Sequence, residues 1–292
     1  MALKTQTIDE AIHENGAKVL VHAPPGYGKT VLSVTTVMDE EWGVDENLRS
    51  LIVNAESGLR SLKTVPQAVK DRIDVVTVGD LTDLGDIYNE LCGGHCYDWV
   101  ILDSLSEIAE VCLSEHKAES KDPRQAYGKL ADDMFAMIRL FRDLPHVCVY
   151  MSCKQGYAED ASGKTRFRPM MPGKQLTQGI GYLFDEVFAI RVIEDEEGDE
   201  VRVLQTAPDL EYDCKDRSGL MEPAEPASLA VIARKMGIDY AVMAAERAKI
   251  DSSEPEVGEE ETPPAETPPE ETNNEQSQSQ SQSEEEGKEA NE

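Results

Sequence analysis

"HAPPGYGKTVLS", residues 22–33, is the stretch on which the reading of the fold turns. It stands directly behind a short apolar run, "KVLVH" at 18–22, and ahead of a helical pattern beginning near Lys29. A buried strand, a glycine-bearing turn and a helix, in that order, frame a Gly-Lys-Thr triplet that holds phosphate. Gly26 and Gly28 let backbone N–H groups turn inward around phosphate oxygens, and the helix start adds a favourable dipole. The first position of the pattern G-x-x-x-x-G-K-[ST] is Ala23, which a strand end accepts if no positive φ is needed there. ATP is therefore expected along residues 23–31. Ala23, Pro24, Pro25, Gly26, Tyr27 and Gly28 form the loop; Lys29 reaches the β- and γ-phosphates, the Thr30 hydroxyl ligates Mg²⁺, and Val31 follows.

A second stretch completes the site. "YDWVILDSLSE", 97–107, is a four-residue apolar run ending on Asp103, the pattern of a strand that delivers a carboxylate beside Mg²⁺. Alone it is weak; about 70 residues after a phosphate loop it is strong. Glu56, in "LIVNAESGL", ends another run. Parallel strands finish on one edge of a sheet, where open α/β folds bind ligands, so Glu56 can align a water facing the γ-phosphate. The alternative is that Glu56 only caps a helix starting near Ser57.

Further runs at 51–54, 73–78, 99–102 and 147–151 alternate with helical stretches at 81–91 and 126–144. Such alternation predicts an α/β protein with a mostly parallel central sheet and helices on both faces. Runs at 187–192 and 201–205, split by "EDEEGDE", predict an antiparallel edge hairpin.

Composition separates a folded body from a tail. Residues 251–292 carry 15 acidic residues and one Lys, two Pro-Pro pairs and no aromatic, which leaves −16 of the net −30 on residues 1–250. The tail cannot bury enough apolar surface to offset its ordering entropy, so it is expected to be disordered, with one domain at 1–250. No apolar run approaches the ~20 residues of a membrane span, and "MALKTQTIDE" lacks the apolar stretch of a signal peptide. Six cysteines without a disulfide framework fit a reducing cytoplasm. "CGGHC" at 92–96 reads either as three metal ligands lacking a fourth or as a Gly-Gly turn before a strand.

The combination "APPGYGKT", "AESGLRSL", "VILDSLSE", "MMPGKQLTQGIGYLFDEVFAI" and "LQTAPDLEYDCKDRSG" resembles the small RecA-like ATPases of bacteriophages, over roughly residues 15–240. That group also goes by the name of an AAA-type domain and includes single-strand annealing proteins. The resemblance implies a RecA-like core, Mg²⁺-dependent ATP hydrolysis stimulated by single-stranded DNA, and a role in recombination or annealing. It also implies a homo-oligomer with active sites at subunit interfaces, where Lys215 and Arg217 of "KDR" would act on a neighbour's γ-phosphate. The alternative for "KDR" is a solvated turn. Where RecA-like proteins often couple nucleotide to DNA through Gln, this chain has Cys153, with Lys154 or Gln155 as substitutes.

Positive charge in this acidic chain concentrates at 154–174, where Lys154, Lys164, Arg166, Arg168 and Lys174 meet only Glu159 and Asp160. Read as one long loop, with Phe167 and Tyr157 available to stack on bases, the segment is expected to bind single-stranded DNA. "HKAESKDPRQAYGK", 116–129, is a second basic segment. The tail, spanning roughly 35–40 Å, either competes with DNA for these cations or only solubilises the chain. Two rival functions remain: a nucleotide-switched oligomeric protein-interaction ATPase without DNA binding, and a DNA-binding protein with little turnover. A nucleoside kinase would need a basic lid that the sequence does not offer.

Overall fold

The computed structural model describes residues 16–39, 42–56, 58–159 and 163–252. Ser57, Asp160 and the acidic tail lie outside them, apart from residues 251 and 252, which end the last helix.

β1 (Lys18–Ala23) is buried along its whole length. The glycine loop then delivers the chain to α1 (Lys29–Ser33), which tightens into a 3₁₀ turn at Val34–Val37. β2 (Ser50–Asn54), α2 (Gln67–Lys70) and β3 (Ile73–Thr77) follow. Asp80 caps α3 (Leu81–Cys92), its carboxylate accepting from the N–H groups of Thr82 and Asp83. β4 (Trp99–Asp103) leads into α4 (Leu105–Glu119). Asp122 caps α5 (Pro123–Arg142), with Pro where a helix has no use for its N–H. β5 (Cys148–Glu159), β6 (Thr165–Met170), α6 (Lys174–Gly179), β7 (Glu186–Glu194) and β8 (Glu200–Gln205) come next. Two short strands, β9 (Lys215–Asp216) and β10 (Ala224–Pro226), precede α7 (Leu229–Lys235) and α8 (Tyr240–Ser252).

The sheet runs β10-β8-β7-β1-β5-β4-β2-β3, with β6 added to β5 and β9 to β7. From β7 to β3 every pairing is parallel, and β8 turns back antiparallel on β7 as the acidic turn predicts. Alternation along the parallel strands feeds two cores. Leu20, Val53, Leu102 and Met151 pack with α3, α4 and α5 on one face. Val21, Ile52, Ile101 and Tyr150 pack with α1, α7 and α8 on the other. Burial on both faces explains why these strands read as unbroken apolar runs.

One expectation fails in an instructive way. Residues 154–174 are not a long loop: β5 runs on to Glu159, and β6 returns along it in a regular antiparallel hairpin, Tyr157 opposite Phe167. Period-2 alternation hidden among Gly, Pro and charges made the segment look irregular. The second basic segment closes α4 and opens α5 around the buried His116.

Candidate nucleotide-binding site

β1 and β4 are separated only by β5, so both deliver their ends to the same edge of the sheet. Ala23 is the last residue of β1 and does not take a positive φ, whereas Gly26 and Gly28 do, at 81° and 99°. This explains why alanine is tolerated where the pattern has glycine. Lys29 donates to the carbonyls of Ala23 and Pro24 at 3.0 and 3.2 Å, and Tyr150 donates its hydroxyl to the Lys29 carbonyl at 3.0 Å. Burial lowers the Lys29 ammonium below the usual lysine range, with Asp103, Cys153 and Glu56 opposing the shift and Lys154 reinforcing it.

The two ends meet at Asp103. Thr30 donates its hydroxyl to Asp103 Oδ2 at 2.6 Å, and Ser152, on β5, donates to Oδ1 at 2.5 Å. Ser104, the next residue along, donates to the Glu56 carboxylate. Gly58 stands beside both groups: a Cβ built on it would lie 3.9 Å from Glu56 Oε2 and from Thr30 Oγ1, an ordinary contact distance. Glu56 thus belongs to the site through Ser104.

A cavity of about 580 Å³ opens over these groups. Pro25, Gly26, Tyr27, Gly28, Lys29, Thr30 and Val31 line it together with Glu56, Asp103 and Lys154. Ala23 and Pro24 serve beneath it, through their carbonyls. The donor set suits Mg-ATP: inward-turning glycines, an ammonium, and an all-oxygen pair of Thr30 and Asp103 of the kind Mg²⁺ prefers.

Besides Tyr150, sequence reasoning missed three contributors. Arg202, on β8, reaches across with its Nε 3.2 Å from the Tyr27 carbonyl, and Trp42 stands on the cavity wall. Ser152 supports Asp103 from inside an apolar strand. A serine amid the apolar strand "VCVYMSCK" is a signal that could have found Ser152; nothing local marks Arg202.

The remaining candidates lie elsewhere. Lys215 pairs opposite Val187, near the start of β7 and away from the loop. Its ammonium donates to the carbonyls of Gly181 (3.3 Å) and Phe184, while Arg217 holds Asp185 at 2.6 Å. Within one chain neither reaches the cavity. At the hairpin, Asp213 takes Arg166 at 2.6 Å and Arg168 at 2.8 Å. Phe167 packs on Tyr212 with ring centres 5.2 Å apart, so Tyr157, 75% exposed, is the aromatic open to solvent. Lys164 is exposed on the same hairpin. Lys174 lines a separate groove with Arg124 and Tyr127, bringing the two basic segments together. At the coupling position Cys153 is buried, Lys154 faces the cavity and lies 3.6 Å from Glu107, and Gln155 bonds His22 at 3.1 Å. Burial drives the His22 imidazole down to about 4, so it is neutral. Cys92, His95 and Cys96 do not converge as ligands, and Gly94 turns at φ 123° as a Gly-Gly turn requires.

Among the described residues no helix is long and apolar enough to cross a membrane. No curated protein matches the chain. A strand-borne glycine loop, its Lys-Thr pair and a strand-end carboxylate are what a nucleotide-hydrolysing core requires, and residues 15–218 match the family described as AAA domain, so the chain belongs to that family of P-loop ATPases.

Proposed function

We propose that the protein hydrolyses ATP with Mg²⁺ and uses the nucleotide state to set the grip of its basic hairpin on single-stranded DNA. Bacteriophage recombination or annealing is the setting that the sequence resemblance suggests. One strand carries the reading. β5 passes from Ser152, bonded to Asp103, through Lys154 on the cavity wall, to the exposed Tyr157 of the hairpin. The same hydrogen-bonded strand thus joins the nucleotide cavity to the hairpin, and it is the path along which nucleotide state would reach the DNA-binding surface.

In this mechanism Lys29 leaves the Ala23 and Pro24 carbonyls for the phosphate oxygens. Thr30 and Asp103 would hold Mg²⁺, which when bound would supply charge neutralisation at the phosphoryl oxygens. Glu56, its carboxylate oriented by Ser104, aligns the attacking water and takes its proton. Within their own chain Lys215 and Arg217 bond Gly181, Phe184 and Asp185 and do not line the cavity; the sequence resemblance assigns them to the site of a neighbouring copy in a homo-oligomer. Such a cation in trans is worth roughly 10³–10⁵ in rate. Tyr157 and the groove of Arg124, Tyr127 and Lys174 give DNA an aromatic face and cations.

A second reading, a nucleotide-switched protein-interaction ATPase, is favoured by Asp213, whose carboxylate pairs with both Arg166 and Arg168 and offsets part of the hairpin's positive charge. Phosphate release with and without a single-stranded oligonucleotide, beside Lys29→Ala, separates the two. Stimulation by DNA that the substitution abolishes supports the first. Turnover indifferent to DNA sinks it and leaves the second.

A further inference from the structure

Away from the nucleotide cavity, α4 and α5 enclose a cluster that the reaction does not use. Cys112 and His116 stand one turn apart on α4 and face the same way; Asp133 meets them from α5. We propose that Cys112, His116 and Asp133 form a binding site for a transition-metal ion of the zinc class, which staples α4 to α5.

The geometry converges on one atom. His116 Nε2 lies 3.3 Å from Cys112 Sγ and 2.8 Å from Asp133 Oδ2, and the three ligand atoms all lie within 4.8 Å of one another. A neutral imidazole nitrogen carries either one hydrogen or one lone pair, so it cannot make full hydrogen bonds to a thiol and a carboxylate at once. A cation at the shared point satisfies all three. Among the described residues this is the group of His, Cys, Asp or Glu side chains that meets the spacing of a metal site.

The other ring nitrogen supports the same assignment independently. His116 Nδ1 is buried without a hydrogen-bond partner, and Glu119 Oε2 stands 3.9 Å from it. Metal-bound histidines commonly turn their outer nitrogen to a carboxylate, which fixes the tautomer and raises the basicity of the ligand. A small rotation of Glu119, now paired with Lys129 at 3.0 Å, supplies that partner.

The donor types choose the ion. Thiolate, imidazole and carboxylate together suit Zn²⁺ or Co²⁺ and disfavour Mg²⁺ and Ca²⁺, which take oxygen. His116 is 8% exposed and Asp133 38%, so the cluster opens to solvent on the Asp133 side, where a water fills the fourth position. The staple would fix the turn between α4 and α5 that also presents Lys117 and Arg124. It does not depend on the hydrolytic or DNA reading.

Co²⁺ titration of the full chain tests this, with Cys92→Ser and Cys96→Ser as background and excess Mg²⁺ to fill oxygen sites. The expected result is a thiolate-to-cobalt absorption band saturating at one equivalent, with intense visible bands of four-coordinate cobalt, all displaced by Zn²⁺. Cys112→Ser should remove the thiolate band, and Asp133→Asn should weaken Co²⁺ binding by about tenfold or more. No thiolate band in the folded protein, or a band that persists in Cys112→Ser, overturns the proposal. Should Cys112→Ser fail to fold, Asp133→Asn decides, because unchanged Co²⁺ affinity in that variant also overturns it.

Discussion

Replacing Glu56 by Gln keeps its shape and still lets Ser104 donate to it, but removes the negative charge that a general base needs. Turnover in Glu56→Gln should fall by about 10²–10⁴ while the affinity for a fluorescent ADP analogue stays unchanged. A loss under about tenfold in single-turnover hydrolysis would leave Glu56 as a mere partner of Ser104. The residues of this site differ in how well the sequence announces them, and the reason is topological. Asp103 ends a buried strand, Glu56 stands two residues past another, and Lys29 and Thr30 open the helix that the glycine loop hangs from β1, so each position is written in the local pattern. Arg202 comes to Tyr27 only because β8 lies two strands from β1 in the sheet, a relation that no stretch of residues around position 202 encodes. Tyr150 and Ser152 are intermediate: both sit in a readable strand, but their tasks depend on β5 being inserted between β1 and β4.

At the scale of elements, the hairpin of β5 and β6 sets the balance between DNA and protein as partner. Arg166 and Arg168 both fall on Asp213, from the segment ahead of β9. Asp213→Asn retains the backbone bond from its N–H to the Phe167 carbonyl at 2.8 Å while releasing two guanidinium charges. Single-stranded DNA should then bind more tightly at low salt. The slope of log K against log salt should steepen by up to about 1.4, two cations at roughly 0.7 each. A slope unchanged in Asp213→Asn, measured by fluorescence anisotropy, would mean that these arginines do not face nucleic acid. The parallel strands were legible because each is an apolar run between helices, whereas this hairpin was not. Its face is partly exposed and its register is held by Tyr212 and Asp213, more than 40 residues further along the chain. The capped start of α5 was missed: the sequence reading places that helix at 126–144, whereas Asp122 caps it from Pro123 by accepting from Arg124 N–H at 2.9 Å.

On the scale of the whole molecule, the edge of the sheet away from the nucleotide loop is tied by buried charge. Arg247 of α8 holds Asp98 at 2.5 Å and gives its other nitrogen to the His146 carbonyl, so the last described helix closes the starts of β4 and β5. Lys18 sits at that edge too, donating to the Leu144 and Val147 carbonyls at 2.9 and 2.7 Å, with burial lowering it to about 8. Glu186, at the start of β7, is buried with Oε2 unpartnered, and its other oxygen accepts from the Ser218 N–H at 3.2 Å. Burial and the neighbouring Asp216 raise its carboxyl from 4.5 to about 7. The folded chain therefore keeps this proton up to about pH 7, whereas the unfolded chain releases it near 4.5. Its contribution to stability is complete below the lower value and is lost as pH rises through the higher one. Glu186→Gln removes the titration while keeping a neutral side chain of the same size. The variant should therefore gain on the natural chain between pH 5 and pH 8, by at most about 3 kcal/mol. Urea unfolding of both proteins across that range checks this, and a stability difference that is flat with pH would mean Glu186 ionises normally in the fold. Lys215 lies close enough for its charge to be felt by Glu186, so the same titration reports on the edge that carries Lys215 and Arg217. If a second subunit covers that edge, the added burial should extend the pH-dependent range to higher pH as protein concentration rises.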